Sequence, residues 1–84
     1  MNKKRKPERI LILGAGNFGT CLAQHLAYIG HTPTLVARSK DLANHINQNH
    51  RNPKYLAEFK LHTNIKATHE LTPELIESFD FILI

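Results

Sequence analysis

Apolar residues fall into four short runs, and the stretches between them carry a helical period. Residues 10–13 form an unbroken apolar run, as a parallel strand buried on both faces requires. Phe18, Leu22, Leu26 and Ile29 follow at helical spacing, with Cys21, Ala23 and Ala27 nearby. Gly30 sits where a helix C-terminus places a residue of positive φ. Residues 34–37 predict a second strand. Ser39 then suits the cap of a second helix, with Asp41 in its first turn and Leu42 and Ile46 facing inward. Residues 47–62 are polar and irregular, and Asn52-Pro53 marks a turn. Residues 65–68 predict a short third strand. Thr72-Pro73-Glu74 reads as cap, N1 proline and first-turn acid of a third helix, with Leu75, Ile76 and Phe79 on its apolar side. Residues 81–84 predict the fourth strand.

Strands alternate with helices, so the fold class is α/β. Right-handed crossovers give a Rossmann-type parallel sheet of order 3-2-1-4. A fourth strand apolar on both faces asks for cover on both sides. The expectation is therefore a basic tail over residues 1–8 and a truncated dinucleotide-binding domain over 9–84. A catalytic C-terminal domain would lie outside the chain.

The sharpest chemistry lies between the first strand and the first helix, at Gly14, Gly16 and Gly19. A strand that turns at once into a helix needs no Cβ at the bend, which is Gly14. Gly16 lets the backbone approach a pyrophosphate, and Gly19 lets the helix pack closely on the strands. The helix N-terminus supplies unpaired N–H groups and a partial positive charge. The backbone N–H groups of Asn17 and Phe18 are the natural phosphate donors. A glycine triplet alone is weak evidence; here the strand before it and the helix behind it complete the context.

About 20 residues past this motif, NAD-specific folds place an acid that accepts from the ribose 2′-OH. Arg38 stands there, followed by Ser39 and Lys40. An arginine cannot accept a hydrogen bond, but it can pair with a 2′-phosphate or stack on adenine. This tilts the expected cofactor toward NADP(H) over NAD(H). The alternative is an Arg38 that points into solvent.

Charge changes little. Of eleven basic residues, Lys3, Lys4, Arg5 and Lys6 lie ahead of the first strand, and the other seven balance the seven acids. A solvated tail explains the net +4 better than a nucleic-acid surface, for no basic helix or aromatic-basic interleaving follows. No stretch has the length of a membrane span, and no apolar signal segment follows the tail. One cysteine, Cys21, cannot form an internal disulfide, which points to the cytoplasm. Cys21 is expected in the core. Six histidines show neither a His-x-x-x-His pair on a helix nor a cysteine partner, so no metal site is expected. Glu70, Glu74 and Glu77 read as a solvated helix face.

With these residues in view, the chain resembles the N-terminal part of bacterial-type NAD(P)-dependent glycerol-3-phosphate dehydrogenase. The likeness rests on Gly14-Ala15-Gly16-Asn17-Phe18-Gly19-Thr20, on Arg38, and on Asn47 followed by Asn52, Tyr55 and Leu56. It continues through Ile65, Ala67 and Thr68 to residues 79–84. Three positions depart from it: Ala57-Glu58 replaces the family's Pro-Gly, and His62 stands where a proline is usual. These bear on that loop's turn and not on the cofactor site. The resemblance implies hydride transfer between NAD(P)H and dihydroxyacetone phosphate, giving sn-glycerol 3-phosphate for phospholipid synthesis. It implies cofactor contacts from Asn17, Phe18, Arg38 and Tyr55. It places the catalytic lysines and the small phosphorylated substrate's residues beyond these positions, so no residue here is assigned a catalytic role. The 84-residue chain alone is expected to be inactive. A non-catalytic module that senses NAD(P), or an inert truncation product, is the competing reading.

Overall fold

The four apolar runs pair into one parallel sheet of order β3-β2-β1-β4, as the strand-helix alternation predicts. This computed structural model describes residues 6–54 and 57–84. The elements are β1 (Arg9–Leu13), α1 (Asn17–Tyr28), β2 (Thr32–Val36), α2 (Lys40–Asn49), β3 (Lys66–Thr68), α3 (Pro73–Glu77) and β4 (Phe81–Leu83).

The register sets the two faces. Ile10 lies opposite Pro33 and Phe81, and Ile12 opposite Leu35 and Leu83. Side chains alternate along a strand, so these residues share one face and Leu11, Thr34 and Ile82 the other. The first face carries the core, in which Ile10, Ile12 and Leu35 join Ala23, Ala27, Ile46 and Ile65. Leu35 and Ile46 are fully buried. Each contributes about 2 kcal/mol by removal of its side chain from water. β1 and β4 are tied at their starts. Arg9 N–H donates to the Asp80 carboxylate at 2.8 Å, Asp80 N–H to the Arg9 carbonyl at 2.7 Å, and the Arg9 guanidinium lies 4.6 Å from the Phe79 ring centre.

The first helix corrects the predicted inward face. Thr20, Ala23 and Ala27 are buried, whereas Phe18 is 78% and Ile29 56% exposed, and Cys21 is exposed. Leu22 and Leu26 pack only partly against the core. The cause is proximity. A Cβ on Gly19 would overlap the Gly14 carbonyl oxygen and meet the Ile12 side chain at 3.4 Å. With backbone so close, only small side chains fit below the helix. Large ones move to its rim, and Cys21, one step round from Thr20, points outward. The helix closes as predicted: the Gly30 N–H donates to the Ala27 carbonyl and the His31 N–H to the Leu26 carbonyl, with Gly30 at φ +106°.

The second helix runs farther than its polar sequence predicts and takes in residues 47–49. Its start is as expected, with Ser39 Oγ accepting from the Leu42 N–H at 3.1 Å and Asp41 in the first turn. His50 ends it in the left-handed region at φ 56°. The third helix is capped by Thr72 as predicted, but none of its residues is fully buried, since a single turn covers little surface. β4 is likewise open: Phe81 is 55%, Ile82 44% and Ile84 fully exposed. Among the described residues no helix is long and apolar enough to cross a membrane.

Candidate functional site

The C-terminal end of β1 leads into a bare helix N-terminus. Gly14 turns the chain at φ +125°, which an L side chain rarely adopts. Gly16 is the N-cap of α1, and no side chain caps it. The first intrahelical bond runs from the Thr20 N–H to the Gly16 carbonyl at 2.9 Å. The N–H groups of Asn17, Phe18 and Gly19 are thus the orphan donors of the first turn. No acid stands in that turn.

The three glycines differ in what surrounds them. Gly19 is required by packing. At Gly14 and Gly16 an added Cβ would meet nothing within 4 Å, so the backbone faces open space. Open backbone beside orphan N–H groups is a cradle for an anion that a side chain would fill.

Two clefts flank this turn. The larger, about 490 Å³, lies on the β2 side between Gly14, Gly16, Arg38, Ser39, Leu42 and Lys54. The smaller, about 330 Å³, lies on the β4 side and is lined by Phe18, Leu13, Leu22, Leu83 and Ile84 around the same glycines. One is basic and the other apolar. They meet where the strand order reverses, the place at which open α/β sheets take elongated nucleotide ligands.

The predicted site residues distribute between them. Gly14, Gly16, Asn17, Phe18 and Gly19 form the shared turn and the β4-side cleft. Arg38 is exposed at the tip of β2 and lines the basic cleft. Ser39 is spent on capping α2. Tyr55 lies outside the described residues. Among the described residues no cluster of His, Cys, Asp or Glu could hold a metal.

Lys54 was not legible from the sequence. It lies 16 positions after Arg38 yet lines the same cleft. What brings it there is Asn52, which has no exposed surface. Asn52 Nδ2 donates to the Ala15 carbonyl and to Thr20 Oγ1, both at 2.9 Å, and its Oδ1 accepts from the Lys54 N–H at 3.1 Å. The only hint in the sequence was the Asn52-Pro53 turn, which says nothing about which surface the turn meets.

The comparisons with known proteins agree with this geometry. Residues 9–84 match the family model described as NAD-dependent glycerol-3-phosphate dehydrogenase N-terminus. The glycerol-3-phosphate dehydrogenase [NAD(P)+] of Lawsonia intracellularis is 46% identical over 61 residues, which is 73% of this chain and 17% of the relative. That of Stenotrophomonas maltophilia strain R551-3 is 38% identical over 77 residues, 92% of this chain and 22% of the relative. The crystal structure of the glycerol-3-phosphate dehydrogenase of Coxiella burnetii superposes with a TM-score of 0.78 at 30% identity, covering 90% of this chain and 23% of that one. The Plasmodium falciparum enzyme gives 0.73 at 27% identity. The chain spans about a fifth of the length of the curated relatives it matches. By the match over residues 9–84, the chain belongs to the NAD-dependent glycerol-3-phosphate dehydrogenase family, as its N-terminal part.

Proposed function

We propose that residues 9–84 form the dinucleotide-binding part of an oxidoreductase that interconverts dihydroxyacetone phosphate and sn-glycerol 3-phosphate, with NADP(H) preferred over NAD(H). The single observation that carries this reading is the bare N-terminus of α1 beside the open Gly14–Gly16 backbone, with Arg38 in the adjoining cleft. The Asn17, Phe18 and Gly19 N–H groups would donate to the pyrophosphate. Arg38 would pair with the 2′-phosphate, which NAD(H) lacks. Phe18 and Leu83 would wall the apolar cleft and shield the nicotinamide end from water. When bound, the nicotinamide supplies or accepts the hydride. The residues named here bind and orient; none of them moves a proton. The product would enter phospholipid synthesis.

Of the basic tail expected over residues 1–8, residues 1–5 lie outside the described residues, and this reading gives the tail no nucleic-acid or membrane partner. The free thiol of Cys21 fits a reducing compartment, and this reading places the chain in the cytoplasm.

Titration with NADPH and NADH, followed by nicotinamide fluorescence, tests the reading. NADPH is expected to bind more tightly than NADH. Arg38→Ala should weaken NADPH about tenfold, the value of one charge-assisted contact, and leave NADH unchanged. Equal binding of NADPH by the Arg38→Ala variant and the parent chain would overturn the preference. Failure of both nucleotides to bind would overturn the site.

A further inference from the structure

We infer that Lys54 is a second specificity-determining cation for the adenosine 2′-phosphate, and that Asn52 is the positioning residue that delivers it. The inference rests on the NADP(H) reading above and extends it to a residue outside the glycine motif and the tip of β2.

The argument begins with Asn52. A fully buried amide costs several kcal/mol unless its polar atoms are paired. Asn52 meets that demand: both its donor contacts and its acceptor are used on Ala15, Thr20 and Lys54. Ala15 is the residue between Gly14 and Gly16, so the bond ties the turn after α2 directly to the phosphate turn. The bond from the Lys54 N–H to Asn52 Oδ1 then sets the backbone of Lys54 at the cleft mouth.

The charges in that cleft are unbalanced. Arg38 and Lys54 both line it, and no acid does. Among the described residues neither has an ion-pair or hydrogen-bond partner for its side chain. Two cations that share one cleft without a counter-charge repel each other. A phosphate monoester, carrying about −1.5 to −2 at pH 7, would neutralise the pair. The planar guanidinium offers bidentate pairing and the ammonium a mobile point charge, so the two would approach different oxygens of one phosphate. A ribose with a free 2′-OH can accept a hydrogen bond but brings no negative charge to offset the two cations. Lys54 therefore bears on the choice between the two nucleotides and not on the pyrophosphate.

The test titrates the 84-residue chain with adenosine 2′,5′-bisphosphate and with 5′-AMP by calorimetry. Lys54→Gln should weaken the bisphosphate about fivefold, as expected for a partly solvated charge pair, and leave 5′-AMP unchanged. Lys54→Arg should restore binding to within about twofold. Lys54 is exposed, so these variants keep the fold. Asn52→Ala reports on positioning, because it removes the acceptor for the Lys54 N–H without adding a charge: it should lower the bisphosphate-to-AMP preference toward that of Lys54→Gln, and the double variant should lower it no further. A merely structural Asn52 would weaken both probes equally and leave their ratio intact, which would overturn its assigned role. If Lys54→Gln binds the bisphosphate as the parent does while Arg38→Ala loses the preference, the Lys54 inference falls and the proposed function stands. If the parent chain shows no preference and Arg38→Ala changes nothing, both fall.

Discussion

Asn47 holds Ala67 by both ends of its side-chain amide. Its Nδ2 donates to the Ala67 carbonyl at 2.9 Å, and its Oδ1 accepts from the Ala67 N–H at 2.8 Å. Ala67 lies on β3, the outermost strand, whose other side pairs with β2. The amide thus supplies the two bonds that a further strand would make, and it closes part of an edge that would otherwise template association. Asn47→Ala should cost about 2 kcal/mol, from two bonds worth roughly 1 kcal/mol each. Urea denaturation measures the loss, and the Ala67 amide should gain more in exchange rate than the β1 amides do. Unchanged exchange at Ala67 would refute the clamp.

Strand order, helix starts and the glycine turn after β1 were legible because each rests on simple rules. Residues 10–13 and 34–37 announce buried strands, Ser39 and Thr72 announce caps, and Gly14 sits where only glycine turns easily. The α1 core face was misread because period alone favours large apolar residues. The depth of the groove under the helix, set by Gly19 against Gly14, decides that Ala23 and Ala27 go inside and Phe18 stays out. Residues 47–49 looked like loop because asparagine competes for its own backbone. In Asn47 that side chain is engaged on β3 instead, so the helix continues. Lys54 was hidden for a third reason: its place depends on contacts between Asn52 and residues 32 and 37 positions earlier.

Gly16 and Gly19 should fail in opposite ways. Gly16 has φ −80° and open space around an added Cβ, so Gly16→Ala should leave stability within about 0.5 kcal/mol. The new methyl would occupy the phosphate's place, and nucleotide affinity should fall at least about tenfold. Gly19→Ala drives a methyl into the Gly14 carbonyl, a backbone atom that cannot swing aside. It should destabilise by about 3 kcal/mol, the upper range for overpacking. Thermal denaturation and NADPH titration of the two variants separate packing from binding. Equal thermal shifts would contradict the division.

Thr20 and Asn52 should be energetically coupled. Thr20 is fully buried, and its hydroxyl accepts from Asn52 and lies 3.4 Å from the Ala15 carbonyl. Thr20→Val keeps the shape and removes the acceptor, leaving one Asn52 N–H with no partner. The cost should be about 1–2 kcal/mol, and Thr20→Ser should recover most of it. In a double-mutant cycle with Asn52→Ala, the coupling should exceed about 0.5 kcal/mol. Strict additivity would mean that the two side chains do not share a bond.

β4 should make the 84-residue chain self-associate. Phe81, Ile82 and Ile84 form an exposed run of apolar side chains at the free edge of a sheet. Natural edges are blunted by charges or proline, and neither occurs within residues 81–84. Sedimentation velocity across a concentration series should therefore show growing weight-average mass. Ile84→Lys is the informative variant, because Ile84 is fully exposed and packs on nothing that its loss would weaken. It sets a lysine ammonium beside the apolar edge, which docking of a second copy would have to strip of water. The variant should stay closer to a monomer at every concentration while its denaturation midpoint is unchanged. If parent and variant sediment alike as monomers, the exposed edge does not drive association.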